Sequence, residues 1–179
     1  ILHVMQQLGI ETDYMVGAKL EGFDVMVKIS DAKYMVLEGD EYLSSPMDLR
    51  PKFHLYKPNI AIINGIAWDH INVFPTFDIY VEQFKIFADK IEQNGSLVYF
   101  QDDENIVNIA KGVRKDIKTF PYRELDQELV KKYPLKIFGK HNLINLSAAM
   151  TALEQIGVKK DDFLKAIQSF KGASKRLEL

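Results

Sequence analysis

Three short stretches carry side chains whose types and spacing could do chemistry. In Tyr34-Met-Val-Leu-Glu-Gly-Asp-Glu41 an apolar run breaks into three carboxylates, Glu38, Asp40 and Glu41. A carboxylate such as Glu38 at a strand tip offers the hard oxygen that Mg2+ prefers. The same acids also suit a solvated turn. In Ile60-Ala-Ile-Ile-Asn-Gly-Ile-Ala-Trp-Asp-His70 a second apolar run is followed, a few residues on, by Asp69 and His70. Neutral imidazole there can meet a metal or a phosphate, with Asp69 orienting it, or His70 is an ordinary surface histidine. In Gly139-Lys-His-Asn-Leu-Ile-Asn145, the pairs His141/Asn145 and Asn142/Asn145 are i, i+4 and i, i+3, so a helix puts all three on one face. A carboxamide pairs bidentately with N6 and N7 of adenine. Helix capping accounts equally well for Asn142, but not for Asn145.

The elements around these stretches alternate between strand and helix patterns, the signature of an α/β domain with a mainly parallel sheet. Strands are expected at 24–29, 34–37, 59–64, 96–100 and 118–120, of which 59–64 is almost continuously apolar and reads as covered on both faces. Helices are expected at 1–9, 80–91, 123–132, 142–156 and 161–170, with a further one capped by Asp102 or Asp103. In such a sheet ligands sit beyond the carboxyl ends of the strands. The acidic stretch and the Asp-His stretch each follow a strand, so both should reach the same edge.

Composition narrows the function. The chain has 179 residues, enough for one domain with a real core, and 47% of them are hydrophobic and 27% charged. Its 23 basic and 25 acidic residues nearly cancel, to a net charge of −2, which argues against binding nucleic acid or a membrane by bulk electrostatics. It has no cysteine, so thiolate chemistry and disulfides are excluded. No apolar run reaches membrane-spanning length and no secretory signal is visible, so a cytoplasmic protein is expected. Neither G-x-x-x-x-G-K-[ST] nor G-x-G-x-x-G occurs, and no Ser/His/Asp arrangement stands out.

The three stretches in this order, with Phe170-Lys-Gly-Ala-Ser-Lys-Arg-Leu-Glu178 after them, resemble the central ATP-binding domain of the Mur ligases. These are ATP-dependent amide-forming enzymes of peptidoglycan assembly, whose pattern is E-x-D-E, D-H, G-x-H-N-x-x-N and F-x-G-x-x-x-R-x-E. The resemblance implies a three-layer P-loop-type α/β domain over residues 1–170, cut just after its P-loop. Residues 171–179 would then be the linker to a C-terminal domain, with N- and C-terminal domains of the same chain as partners. By the same resemblance Glu38 and His70 match the positions that hold Mg2+, and His141, Asn142 and Asn145 match the ATP-binding helix. Arg176 matches an arginine near the γ-phosphate, which makes Glu38, His70 and Arg176 the catalytic set.

The implied reaction joins an amino acid or peptide to UDP-N-acetylmuramate through an acyl phosphate. The stretch from Asp40 to Tyr56, with its D-x-R-x-K-F element, resembles the branch that takes a recovered tripeptide, L-alanyl-γ-D-glutamyl-meso-diaminopimelate. The branch that adds L-alanine is the alternative, and a non-catalytic domain that kept the fold is a second. Asp48, Arg50 and Lys52 either contact the incoming peptide or form a salt-bridged surface loop. The chain departs from the family pattern at Gly65, where Asn is common, and at Asn72, where Asp is common. Phe84 stands near the place where some members carry a carbamylated lysine, and the segment 121–138 is shorter than usual.

Overall fold

The computed structural model describes residues 1–17 and 22–172. Its strands form two three-stranded ladders that are parallel except for one edge. In the first, β1 (Thr12–Met15) lies between β2 (Val27–Lys28), antiparallel to it, and β3 (Tyr34–Leu37), parallel to it with Thr12 opposite Tyr34 and Met15 opposite Leu37. In the second, β4 (Ile60–Ile63), β5 (Ser96–Phe100) and β6 (Lys118–Tyr122) are all parallel, with β5 central. Among the described residues β3 and β4 are not hydrogen-bonded to each other.

Helices cover both faces of the second ladder, as expected for a three-layer α/β domain. On one side α2 (Phe77–Asp89) and α3 (Glu104–Gly112) bury Tyr80, Ala88, Ile106 and Ile109 against Ala61, Ile63 and Leu97. On the other, α5 (Lys140–Glu154) lays Ala148 and Ala152 against Val98 and Tyr122. The opposite side of α5 buries Leu143, Leu146, Met150 and Leu153 with Val4 and Met5 of α1 (Leu2–Gln7) and Phe163, Leu164 and Ile167 of α6 (Lys160–Ile167). Tyr34 and Val36 of β3 pack on this second cluster. The short α4 (Gln127–Lys132) packs Leu129 and Val130 on the same cluster, and a 3-10 helix (Lys52–Leu55) buries Phe53 among the rings of Phe84 and Phe87 on α2.

Several elements differ from their expected limits for identifiable reasons. The strand β1 was not foreseen because Thr12 and Asp13 are polar, yet both are buried. Thr12 donates to the Ile10 carbonyl at 3.0 Å, and the Asp13 carboxylate accepts from the N–H and hydroxyl of Ser30 at 2.8 and 2.7 Å. Those two bonds hold Asp13 below the usual carboxylate range. Only Val27 and Lys28 of the apolar run 24–29 enter a ladder, and both are exposed. The helix expected from Arg123 starts instead at Gln127, where the Asp126 carboxylate caps Glu128 N–H at 2.8 Å. Pro121 stands within β6, which among the described residues pairs only with β5. The Lys118 N–H points toward β5, and N–H direction alternates along a strand, so the N–H that Pro121 lacks would have faced outward.

Gly95, at the turn into β5, permits a close approach that no other residue allows. A Cβ there would lie 2.6 Å from Ile91 Cγ2, 2.7 Å from the Asn59 carbonyl oxygen and 2.8 Å from that of Glu92. Two of those atoms are backbone and cannot rotate away. Gly95→Ala is expected to lower stability by about 1–3 kcal/mol. Urea titration should show this as a lower midpoint at unchanged slope, and an unchanged midpoint would mean that the turn yields freely.

Candidate functional site

The parallel direction of β1, β3 and β4–β6 brings the loops after these strands to their carboxyl ends. Glu38 follows β3 directly: its N–H donates to the Met15 carbonyl at 2.9 Å, continuing the ladder, and its carboxylate accepts from the Gly17 N–H at 2.6 Å. The acid is thus fixed against the end of β1. The loop then turns at Asp40, whose carboxylate accepts from Lys52 Nζ at 2.6 Å and from the Tyr42 N–H at 2.8 Å. Burial pushes Asp40 upward, but these bonds and the Lys52 charge outweigh it and leave its pKa below the ordinary 3.8. Asp48 and Arg50 pair with each other through two bonds of 2.9 and 2.7 Å, which hold Asp48 down at about 2. The loop from 40 to 56 is therefore salt-bridged to itself.

The loop after β4 is built as tightly. The Asp103 carboxylate accepts from the Ile66 N–H at 3.1 Å with one oxygen and caps α3 through Asn105 and Ile106 with the other. It ties the beginning of the loop to a helix end. Farther on, Trp68 Nε1 donates to the Phe74 carbonyl at 3.0 Å, and the His70 carbonyl accepts from Val73 and Phe74. His70 has a φ of +54°, a left-handed backbone that a residue with a Cβ adopts at a cost of about 1 kcal/mol. The Asp69 carboxylate accepts the His70 N–H at 2.6 Å and helps to hold this turn.

These two loops meet at Glu41 and His70. Facing His70 is Glu41, with Oε1 3.5 Å from Nε2, while Asp69 Oδ1 stands 3.9 Å from Nδ1. Glu41, Asp69 and His70 offer donor atoms within 4.8 Å of one another, a group that does not include Glu38. Two carboxylates and one imidazole make a donor set suited to Mg2+ or Mn2+. The Tyr42 ring meets His70 edge-on at 4.8 Å, and the Tyr80 hydroxyl donates to Glu41 Oε1 at 3.4 Å. Neither tyrosine was singled out from the sequence. The aromatic residue next to the E-x-D-E motif was the available signal for Tyr42; nothing local marks Tyr80.

The third stretch opens α5, and here the alternative that Asn142 caps the helix needs correction. The helix begins at Lys140, its N-cap is Gly139 at a φ of +90°, and no side chain caps it. Asn142 instead lies in the first turn and donates its amide to the Phe138 carbonyl at 2.6 Å. His141 is exposed. Asn145 is half-buried beside Ile144, which packs on the sheet, and its amide makes no hydrogen bond among the described residues. Nearby strand ends add another polar pair, the Tyr122 hydroxyl donating to Asn64 Oδ1 at 2.9 Å. Arg176 and nearly all of the expected linker lie outside the described residues.

Known proteins are similar to this chain along nearly its whole length. A family model described as the Mur ligase middle domain matches residues 20–153. The UDP-N-acetylmuramate–L-alanyl-γ-D-glutamyl-meso-2,6-diaminoheptandioate ligase of Haemophilus influenzae is 27% identical, over 98% of this chain and 43% of its own. The UDP-N-acetylmuramate–L-alanine ligase of Carboxydothermus hydrogenoformans is 28% identical, over 100% of this chain and 42% of its own. The chain thus spans less than half the length of these relatives. Among solved structures, the UDP-N-acetylmuramate:L-alanyl-γ-D-glutamyl-meso-diaminopimelate ligase of Neisseria meningitides superposes with a TM-score of 0.82 at 22% identity, covering 97% of this chain and 61% of that one. No helix among the described residues is long and apolar enough to cross a membrane.

The Asp40–Lys52 pair makes a pH prediction. A carboxylate whose folded pKa is depressed stabilises the fold above its unfolded value and loses that contribution as pH falls through the folded one. Asp40→Asn should therefore cost stability near neutrality, by less than about 1 kcal/mol because the pair is partly exposed. The difference from the parent protein should close as the solution is acidified below the unfolded value. Thermal melts of both proteins at a series of pH values measure it, and a difference that grows in acid would contradict it.

Proposed function

The chain belongs to the Mur ligase middle domain family, and from that premise we propose that it is the ATP-handling part of a ligase acting on UDP-N-acetylmuramate. The observation that carries this reading is the meeting of two motifs distant in sequence: the loop bearing Glu38 and Glu41 touches the loop bearing Asp69 and His70. A parallel α/β sheet collects such loops where a nucleotide binds. The reaction type is supported by the names of both relatives, each a ligase of UDP-N-acetylmuramate with L-alanine or an L-alanyl peptide.

In this reading the muramoyl carboxylate attacks the ATP γ-phosphorus, and the bond from that phosphorus to the β-γ bridging oxygen breaks. The product is an acyl phosphate and ADP. The incoming amine then attacks the acyl carbon, inorganic phosphate leaves, and the amine loses a proton as the amide forms. Bound Mg2+ supplies charge neutralisation between the anionic carboxylate and the polyphosphate. Glu38 and His70 are assigned to hold it. Their backbones come from neighbouring loops: Glu38 is fixed to the end of β1, and His70 is presented by its left-handed turn. Asn145 is assigned to the adenine edge, since among the described residues its amide makes no hydrogen bond, whereas the amide of Asn142 donates to Phe138. Arg176 is assigned to the γ-phosphate on the motif alone.

For the amine substrate we favour the tripeptide L-alanyl-γ-D-glutamyl-meso-diaminopimelate. Support comes from the D-x-R-x-K-F stretch and from the relative of 27% identity, whose name carries that tripeptide, although Asp48, Arg50 and Lys52 themselves are paired within their loop. The alternative is free L-alanine, for which the relative of 28% identity speaks.

The deciding experiment is phosphate release by the full-length protein with ATP, Mg2+ and UDP-N-acetylmuramate, supplied with either the tripeptide or L-alanine. Turnover with the tripeptide is expected; turnover with L-alanine alone would move the assignment, and none with either would reject the ligase reading. Asn145→Ala should raise the KM for ATP about tenfold or more with little change in kcat, the cost of one lost bidentate base contact. Glu38→Gln and His70→Ala should each lower kcat about a hundredfold or more at saturating ATP. Steady-state kinetics separate the two classes, and a kcat effect confined to Asn145→Ala would reverse the assignments.

A further inference from the structure

The role of Glu41 goes beyond the motif assignments. Its carboxylate lies between two groups: the His70 Nε2, 3.5 Å from Oε1, and the Tyr80 hydroxyl, which donates to the same oxygen at 3.4 Å. Tyr80 is a rigid anchor. It is 3% exposed, it stands in the first turns of α2 behind the Thr76 N-cap, and its ring is packed by Phe74 and Phe84. Burial, reinforced by the Glu41 charge, pushes its phenol well above the usual range, so it remains a donor at neutral pH. The imidazole is also confined from the side by the Tyr42 ring, whose hydroxyl accepts from Asn72 Nδ2 at 3.4 Å. The backbone of His70 is set by its left-handed turn.

We propose that Glu41, anchored by Tyr80, is a positioning residue that orients the His70 ring and selects its tautomer. This rests on the reading above that His70 holds the cation. A carboxylate beside Nε2 favours the tautomer with the proton on Nε2, and Nδ1 then carries the lone pair that a metal needs. The chain departs from the family pattern at Asn72, where an acid is common. In this structure Asn72 serves the aromatic wall instead, through Tyr42, and Glu41 is the nearer acid at the ring: Asp69 Oδ1 stands farther off, 3.9 Å from Nδ1, and already accepts the His70 N–H. The rival account is that Glu41 is itself a ligand, since its oxygen belongs to the same donor group as Asp69 and His70.

Two readouts on the full-length protein decide between them. In metal-free protein with 15N-labelled histidine rings, the His70 signal should report a proton on Nε2 in the parent and in Glu41→Gln, whose amide oxygen still accepts. It should report a tautomer mixture in Glu41→Ala and an intermediate state in Tyr80→Phe. Mn2+ titration followed by electron paramagnetic resonance should show about ten- to hundredfold weaker binding for Glu41→Ala, restored to within about threefold by Glu41→Gln. A parent-like ring signal in Glu41→Ala overturns the positioning role. Glu41→Gln binding Mn2+ as poorly as Glu41→Ala also overturns it, in favour of direct ligation. Failure of the underlying reading would appear elsewhere, as parent-like Mn2+ binding by His70→Ala, whereas the ring signal tests Glu41 without any metal.

Discussion

The burial of α5 on two sides constrains most of what surrounds it. Ala148 and Ala152 let the helix approach β4–β6 closely, while Leu143, Leu146, Met150 and Leu153 fill the space toward α1 and α6. Small residues on one stripe and large ones on the other leave it one seating between two packed layers, because interiors at crystal-like density tolerate little rotation. Its first turns carry Asn142 and Asn145. Where those amides stand relative to the strand ends is therefore decided by core packing along the helix itself, up to about three turns away, not by the loop that precedes it. Gly139, at a φ of +90°, simply lets the chain enter at the angle that this packing demands.

The other half of the site is held by backbone-directed carboxylates. Asp103 joins the start of the loop after β4 to the N-terminus of α3, and Glu38 joins the tip of β3 to the end of β1. Asp69 holds the His70 amide. Such bonds to charged acceptors are stronger than neutral ones and add direction to loops whose apolar residues, such as Ile66 and Phe74, are anchored in the core. Acidic residues here thus divide the work: some shape the loops, and Glu41 faces the imidazole.

Much of the architecture was legible in the residues. The runs 60–63 and 96–100 read as buried strands because both of their faces are covered by helices, so apolar character is continuous. The helix pattern of 80–91 located α2, which starts three residues earlier because Thr76 caps it. What escaped was set by contacts between distant parts. β1 is strand because Ser30 satisfies Asp13 from seventeen residues away. The start of α5 was hidden because a glycine, not a capping side chain, begins it. At the site, the motifs located the loops and the general edge of the sheet. They did not disclose that Glu41 meets His70, which follows from the left-handed backbone at residue 70 and from an anchor, Tyr80, on another element.

Pro121 gives the outer margin of β6 a property of its own. An exposed strand edge is ordinarily a template on which a second chain can add, the first step toward insoluble assemblies. At this margin one of the outward donors is missing, so a strand arriving there from another molecule would leave a carbonyl unmatched. The apolar strands Ile60–Ile63 and Ser96–Phe100 lie just inside it. Pro121 thus makes outward growth of this ladder less favourable than an unbroken strand edge would.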